Sequence, residues 1–286
     1  KSEHVVRTHD IGLLEDGTPF LVMEYLEGQD LARRLEQTGP LALWQVVDFT
    51  IQTCEALAHA HTLGIVHRDL KPSNLFIVRC PDGRECVKVI DFGIAKQSGT
   101  GLTVAGMRLT KTAQIIGSPR YMAPEQMSSA KDVDARSDIW SLGVILFELL
   151  SGHSPFTGKT LISLYKDITT SEPPLLSRYR ADLPDGIVAV VQRCMQKDRA
   201  YRYPSVVELC AALRPFASPQ CPIVPEQLAQ IMGPAAYRTT ASVPPGRPSW
   251  QDSVPPTSGA GSTQHVFGRT TFGNTNKNVG GWLFVA

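Results

Sequence analysis

The sequence predicts an α+β fold: a few strands near its start, a mostly helical body and a long disordered tail. Three observations predict it. Phe20-Leu21-Val22-Met23-Glu24-Tyr25 and the pair Leu75–Val78 and Val87–Ile90 are short β-type runs bounded by turn residues. Between Leu43 and Leu63, and again between Leu183 and Leu213, apolar residues recur at spacings of three and four, the period of a helix with one buried face. Beyond Ala217 the composition changes to Pro, Ser, Thr, Gly and Asn with few aliphatic runs.

Each element has its own signals. Asp30 caps a short helix that Gly39 closes. Val46, Val47, Ile51, Cys54, Leu57 and Ala58 form the apolar stripe of the next helix, which Gly64 ends. Pro81-Asp82-Gly83 turns the two β runs into a hairpin. Ile139 to Leu150 is apolar on nearly every face, the mark of a helix at the centre of a domain, with Ser137 as its expected N-cap and Gly152 just past its end. Leu183 to Leu213 supplies at least two more helices, parted by Asp198-Arg199-Ala200-Tyr201-Arg202. Ser218 to Gly281 cannot bury enough surface to offset its ordering entropy, so residues 218–281 read as a disordered linker. Residues 282–286 turn apolar, as the start of a truncated transmembrane helix would, although a span needs about 20 such residues.

Composition narrows the function classes. In 286 residues, 42% are apolar and 19% charged, and Lys plus Arg at 28 against Asp plus Glu at 27 leaves a net charge of +1. That is a globular balance with no basic excess for nucleic acid. The six cysteines are expected to be reduced thiols, as in a cytoplasmic protein. Cys80 and Cys86 bracket the hairpin turn and could meet across it, but the expectation is two thiols at strand ends, without a role. His59 and His61 lie on different helix faces, which argues against a metal site.

The chemistry sits at the two ends of the hairpin. His67-Arg68-Asp69-Leu70-Lys71-Pro72-Ser73-Asn74 precedes its first strand and Asp91-Phe92-Gly93 follows its second. Antiparallel neighbours lie about 4.8 Å apart, so the turn returns Asp91 close to Asn74. An amide oxygen and a carboxylate are what a hard cation takes from protein, the rest of its octahedron coming from water and phosphate. Asp69 stands on the same loop, within reach of the proton of a hydroxyl attacking a phosphate, and Lys71 adds a compact positive charge. In-line phosphoryl transfer depends mostly on such positioning and cations.

These segments resemble the H-R-D-L-x-x-x-N catalytic loop and D-F-G of protein kinases. Lys71 resembles the Ser/Thr branch. Gly117-Ser118-Pro119-Arg120-Tyr121-Met122-Ala123-Pro124-Glu125 resembles the peptide-binding loop ending in A-P-E, Asp138-Ile139-Trp140 the start of the central helix, and Arg202 the arginine that pairs with the Glu of A-P-E. Asp134-Ala135-Arg136-Ser137-Asp138 and the Pro-rich tail look most like bacterial, eukaryotic-type Ser/Thr kinases.

The resemblance implies a protein-kinase-like fold over residues 1–217, with 1–26 the remnant of the small lobe and hinge and 27–217 the large lobe. It implies Asp69, Lys71, Asn74 and Asp91 as catalytic residues, with Asn74 and Asp91 on Mg²⁺ (Mn²⁺ as an alternative). ATP would meet the Glu24 carbonyl and the Leu26 N–H, with Met23 as gatekeeper, Asp30 at the ribose and Phe76 beneath adenine. Asp138 would hold the catalytic loop in place. Arg68 would anchor a phosphate on the loop that follows Gly93, where Thr110 and Thr112 resemble the autophosphorylated pair of the bacterial enzymes. The implied partners are protein substrates with Ser or Thr acceptors, a second copy for autophosphorylation, and a membrane tether beyond residue 286.

One part of the pattern is missing. The family's G-x-G-x-x-G-x-V loop, its V-A-I-K lysine and the following helix Glu do not appear before Leu21, and Gly99-Thr100-Gly101 has the wrong spacing and place to substitute. Lys1 to Asp10 looks like the end of that helix and the strand after it. N-terminal truncation is the expectation, and the chain as given is expected to transfer no phosphate. A pseudokinase or docking module that binds a protein partner is the alternative, against which the intact Asp69, Lys71, Asn74 and Asp91 argue. A small-molecule phosphotransferase would share the H-x-D-x-x-x-x-N loop without Ala123-Pro124-Glu125.

Overall fold

Two β-branched and aromatic runs pair first. In the computed structural model, which describes residues 2–16, 18–80, 82–92, 118–128 and 133–233, β1 (Thr8–Leu13) and β2 (Pro19–Met23) form an antiparallel ribbon. Residues 2–7 contain no helix; the segment instead runs against the later hairpin, through a bridge from Val5 to Val89 and a bond from Val6 N to the Val89 carbonyl at 3.1 Å. The expected helix end before the strand is therefore absent from the described residues.

The second sheet positions the site. β3 (Gly28–Asp30), β4 (Leu75–Arg79) and β5 (Glu85–Val89) are antiparallel in the order β3-β4-β5. Leu75, Ile77, Val87 and Val89 turn inward, so register is set by burial of one face. Gly28 sits at φ 155°, and a Cβ there would come within 1.9 Å of the Ile77 carbonyl oxygen, so only glycine lets β3 reach β4.

The turn of the β4–β5 hairpin departs from the sequence reading. Cys80 and Cys86 form a disulfide with Cα atoms 5.9 Å apart, inside the usual range for such bridges. The reason is the register: Val78 opposes Cys86, and Cys80 N donates to the Arg84 carbonyl at 2.8 Å, which fixes both cysteines on adjoining strand ends. The other four cysteines, Cys54, Cys194, Cys210 and Cys221, are buried thiols. Thiol titration of the protein denatured without reductant should therefore find four thiols, and all six after reduction. Six thiols in both samples would contradict the bridge.

The body is helical. α1 (Leu31–Thr38) is capped by Asp30, whose side chain accepts from Arg33 N at 2.9 Å, and is closed at Gly39. α2 (Leu43–Thr62) runs beneath the hairpin. After a short α3 (Pro124–Ser128) comes α4 (Arg136–Ser151), buried along nearly its whole length, with Trp140 and Phe147 fully enclosed and Gly152 at φ 74° just beyond it. Its N-cap is Ala135 and not Ser137, which lies inside the first turn with its hydroxyl committed to Glu125 Oε1 at 2.8 Å. α6 (Asp185–Cys194) packs against α4, α5 (Leu161–Thr170) lies against α3 and α7 (Val206–Leu213) against α2, and a 3₁₀ turn at Arg199–Tyr201 separates α6 from α7.

Ordered structure does not stop at Ala217. Ser218 N donates to Asp48 Oδ1 at 2.9 Å, Cys221 and Ile223 are buried, and α8 (Pro225–Met232) lays the fully buried Leu228 against the core. The linker expected from 218 thus fails for its first 16 residues, because a proline-rich stretch can still be pinned by partners distant in sequence. Residues 234–286, which hold the rest of that linker and the apolar end, lie outside the described residues. Among the described residues no helix is long and apolar enough to cross a membrane.

Candidate active site

The hairpin brings its two flanking segments to one end of the sheet. Leu75 pairs with Val89, and Ile90 N donates to the Asn74 carbonyl at 3.0 Å, which sets Asp91 one residue beyond Asn74's neighbour. Asn74 Nδ2 donates to the Asp69 carbonyl at 2.9 Å, leaving the amide oxygen as the group's remaining acceptor. Lys71 Nζ donates to Asp69 Oδ2 at 3.1 Å. The Asp91 residue is exposed. Asp69, Lys71, Asn74 and Asp91 therefore gather at one end of the hairpin, and an amide oxygen beside a carboxylate fits a hard divalent cation.

Backbone strain marks the same place. Arg68 at φ 63° and Asp91 at φ 56° are the two non-glycine residues with positive φ among the described residues. Such conformations cost of order 1 kcal/mol or more each and persist only where the surroundings enforce them. At Arg68 the enforcing group is Asp138, in the first turn of α4. Its Oδ2 accepts from His67 N at 3.0 Å and from His61 Nε2 at 2.8 Å, and its Oδ1 accepts from Arg68 N at 3.0 Å. His61, which the sequence offered no role, is thus a second anchor of that carboxylate.

His67 is fully buried. Its Nε2–H donates to the Ile90 carbonyl at 3.2 Å and its Nδ1 accepts from Asp69 N at 3.3 Å, an arrangement that uses the neutral ring. Burial holds its pKa below the usual value, in keeping with that tautomer. The ring also packs on Phe92 at 4.8 Å, so the loop before β4 and the segment after β5 share one contact.

A third segment of the site, 118–128, is tied in by residues the sequence did not single out. Gln126 Nε2 donates to the Arg68 carbonyl at 2.9 Å while its Oε1 accepts from Ala123 N at 3.0 Å. The Ser141 hydroxyl donates to the Tyr121 carbonyl at 2.8 Å. Nothing in the spacing of Gln126 or Ser141 announces these bonds. Glu125 pairs with Arg202 as expected: Nη1 to Oε1 at 2.6 Å and Nη2 to Oε2 at 2.8 Å. Arg202 is 1% exposed, and its other donors reach the carbonyls of Gln196 (2.8 Å), Arg136 (3.1 Å) and Lys197 (3.1 Å). Burial raises the Glu125 pKa, but the Arg202 hydrogen bonds outweigh it and hold the carboxyl below its usual range.

The hinge segment, residues 24–27, is irregular backbone between β2 and β3. Met23 ends β2, and Leu26 is half-buried. Glu24 N donates to the Arg7 carbonyl at 2.9 Å, and the Glu24 carboxylate accepts from Arg7 N at 3.0 Å and from Lys88 Nζ at 2.7 Å. Burial opposes ionisation here too, yet the Lys88 ammonium and the Arg7 N–H hold the Glu24 pKa below its usual value. Lys88 is another residue that sequence reasoning missed. Asp30 is occupied in part by capping α1, and Phe76 pairs with both Asp30 and Lys88 at the centre of the sheet. Thr110 and Thr112 lie outside the described residues.

Residues 1–212 match the family model described as "Protein kinase domain". Among curated proteins, the chain is 34% identical over 257 residues to "Serine/threonine-protein kinase PknB" of Mycolicibacterium smegmatis, covering 86% of this chain and 40% of that protein. It is 38% identical over 207 residues to "Serine/threonine-protein kinase pkn3" of Myxococcus xanthus, covering 72% of this chain and 37% of that protein. The chain thus spans about two fifths of the length of these relatives. The crystal structure of the Mycobacterium tuberculosis PknI kinase domain superposes with a TM-score of 0.56 at 26% identity, over 75% of this chain and 72% of that one.

Proposed function

Because the chain belongs to the protein kinase family, with bacterial Ser/Thr kinases as its relatives, we propose that in the full-length protein, with a complete small lobe, it transfers the γ-phosphate of ATP to serine and threonine hydroxyls of proteins. One observation carries the proposal: the hairpin brings the Asn74 amide, the Asp69 loop and the exposed Asp91 to one end, through the Ile90–Asn74 bond at 3.0 Å and the Asn74–Asp69 bond at 2.9 Å.

The roles follow from what each group can do. Asp69 accepts the proton of the attacking hydroxyl, and its carboxylate is held for that by Lys71. Asn74 and Asp91 would hold Mg²⁺, with Mn²⁺ as an alternative, which would supply positive charge against the phosphate oxygens. Lys71 places a further positive charge beside the transferring group. The Glu24 carbonyl and Leu26 N–H take the adenine edge, Met23 limits the depth of that pocket, Phe76 floors it and Asp30 faces the ribose. The Glu24 side chain supports this reading, because two donors lock the backbone that would present the carbonyl.

Arg68 serves regulation. Its Nε is buried without a hydrogen-bond partner among the described residues, which suits a guanidinium that completes its bonds with a phosphate on Thr110 or Thr112. A second copy of the chain would deliver that phosphate, and a tether beyond residue 286 would fix the enzyme to a membrane.

Asp91→Asn in the full-length protein tests the assignment. Asparagine tolerates a positive φ, so the backbone should be kept while the metal carboxylate is lost. The expected result is loss of Mg²⁺-dependent phosphate transfer with an unchanged melting temperature. Normal turnover in that variant would sink the role of Asp91 and the reading built on it.

A further inference from the structure

Arg120 stands in the 3₁₀ turn Ser118–Tyr121, directly before the segment that Gln126 ties to the Arg68 carbonyl. Its Nε is buried and makes no hydrogen bond, and no ion pair within 4.0 Å neutralises it among the described residues. A guanidinium has five donors and normally finds acceptors for the buried ones. The nearby acid is already engaged: Glu148 Oε2 accepts from the Tyr121 hydroxyl at 2.6 Å. Burial also raises the Glu148 pKa, against the Tyr121 hydrogen bond and the Arg120 charge, which act the other way. The turn itself is fixed, with Pro119 buried and the Tyr121 carbonyl held by Ser141.

We propose that Arg120 is a specificity-determining residue, whose guanidinium reads a negatively charged side chain, carboxylate or phosphate, on the acceptor peptide close to the hydroxyl that is phosphorylated. The proposal deepens the kinase reading and rests on it, since the stretch ending in Ala123-Pro124-Glu125 is the surface on which that reading lays the peptide. A guanidinium without an ion-pair partner among the described residues penalises a basic residue at that position and rewards an anionic one, and a fork-shaped donor set matches carboxylate and phosphate alike.

The test uses the full-length protein and serine peptides that carry Asp, phosphoserine, Ala or Arg at single positions beside the acceptor. Affinity is read by fluorescence anisotropy and transfer by ADP release, so binding is measured whether or not phosphate moves. At one position the wild type should favour the anionic peptides about tenfold over the alanine peptide, the scale of one charge-assisted bond. Arg120→Gln should abolish that preference, the loss appearing in KM for the anionic peptides. Arg120→Lys should restore part of it and Arg120→Glu should turn it toward the arginine peptide. A preference for Asp and phosphoserine alike assigns a carboxylate reader, and one for phosphoserine alone assigns a reader of already phosphorylated substrates. No anionic preference in the wild type, its survival in Arg120→Gln, or an equal loss of kcat on every peptide would overturn the assignment. Anionic preference in binding without any ADP release would support Arg120 and count against the kinase activity instead.

Discussion

Asp69→Ala should lower phosphate transfer by roughly 10²–10⁴-fold, the range for a lost positioned base, with nucleotide affinity nearly unchanged. The geometry makes the variant clean. The Asp69 carbonyl, not its side chain, holds Asn74, and the Asp69 N–H donates to His67, so the loop's backbone bonds survive truncation at Cβ. Lys71 loses its partner, which is why Asp69→Asn should be measured beside it: the amide keeps an oxygen for Lys71 but cannot take a proton. Full turnover at saturating ATP in both variants would contradict the role. A loss confined to nucleotide affinity would do the same.

Arg202→Ala should cost about 3–5 kcal/mol of stability, because it leaves the half-buried Glu125 carboxylate without its partner and three backbone carbonyls without their donor. For a domain of this size that is a fall in melting temperature of about 10 °C. The double replacement Arg202→Met with Glu125→Gln should recover part of the loss, since breaking a buried pair costs more than removing both charges. Denaturant unfolding of the two variants checks both statements. A loss under about 1 kcal/mol for Arg202→Ala would mean that the pair is not sealed from water in solution.

The contrast between these two sites and others shows what a sequence can carry. The proposed catalytic cluster was legible because its geometry is local: a hairpin of known strand spacing joins two short motifs, and the register sets Asp91 near Asn74. The caps at Asp30, Gly39 and Gly152 were legible for the same reason. What escaped depends on partners distant in the chain. Ser218 is held by Asp48 and Arg68 by Gln126, and neither partner leaves a mark beside the residue that it fixes. Ser137 looked like a cap because serine before an apolar run usually is one, yet Glu125 recruited its hydroxyl. Whether Cys80 and Cys86 joined turned on the register of the strands, which spacing alone left open.

Asp138 sets a schedule as well as a shape. The carboxylate that fixes the amides of His67 and Arg68 lies 71 and 70 positions after them. A ribosome adding 5–20 residues per second takes roughly 4–14 s to cover that interval. Throughout it, the newly made loop lacks the group that holds Arg68 in its strained conformation, so the segment emerges pliant and becomes rigid only when α4 arrives. The loop that carries Asp69 is thereby left unfixed until α4, the central helix of the body, has been made.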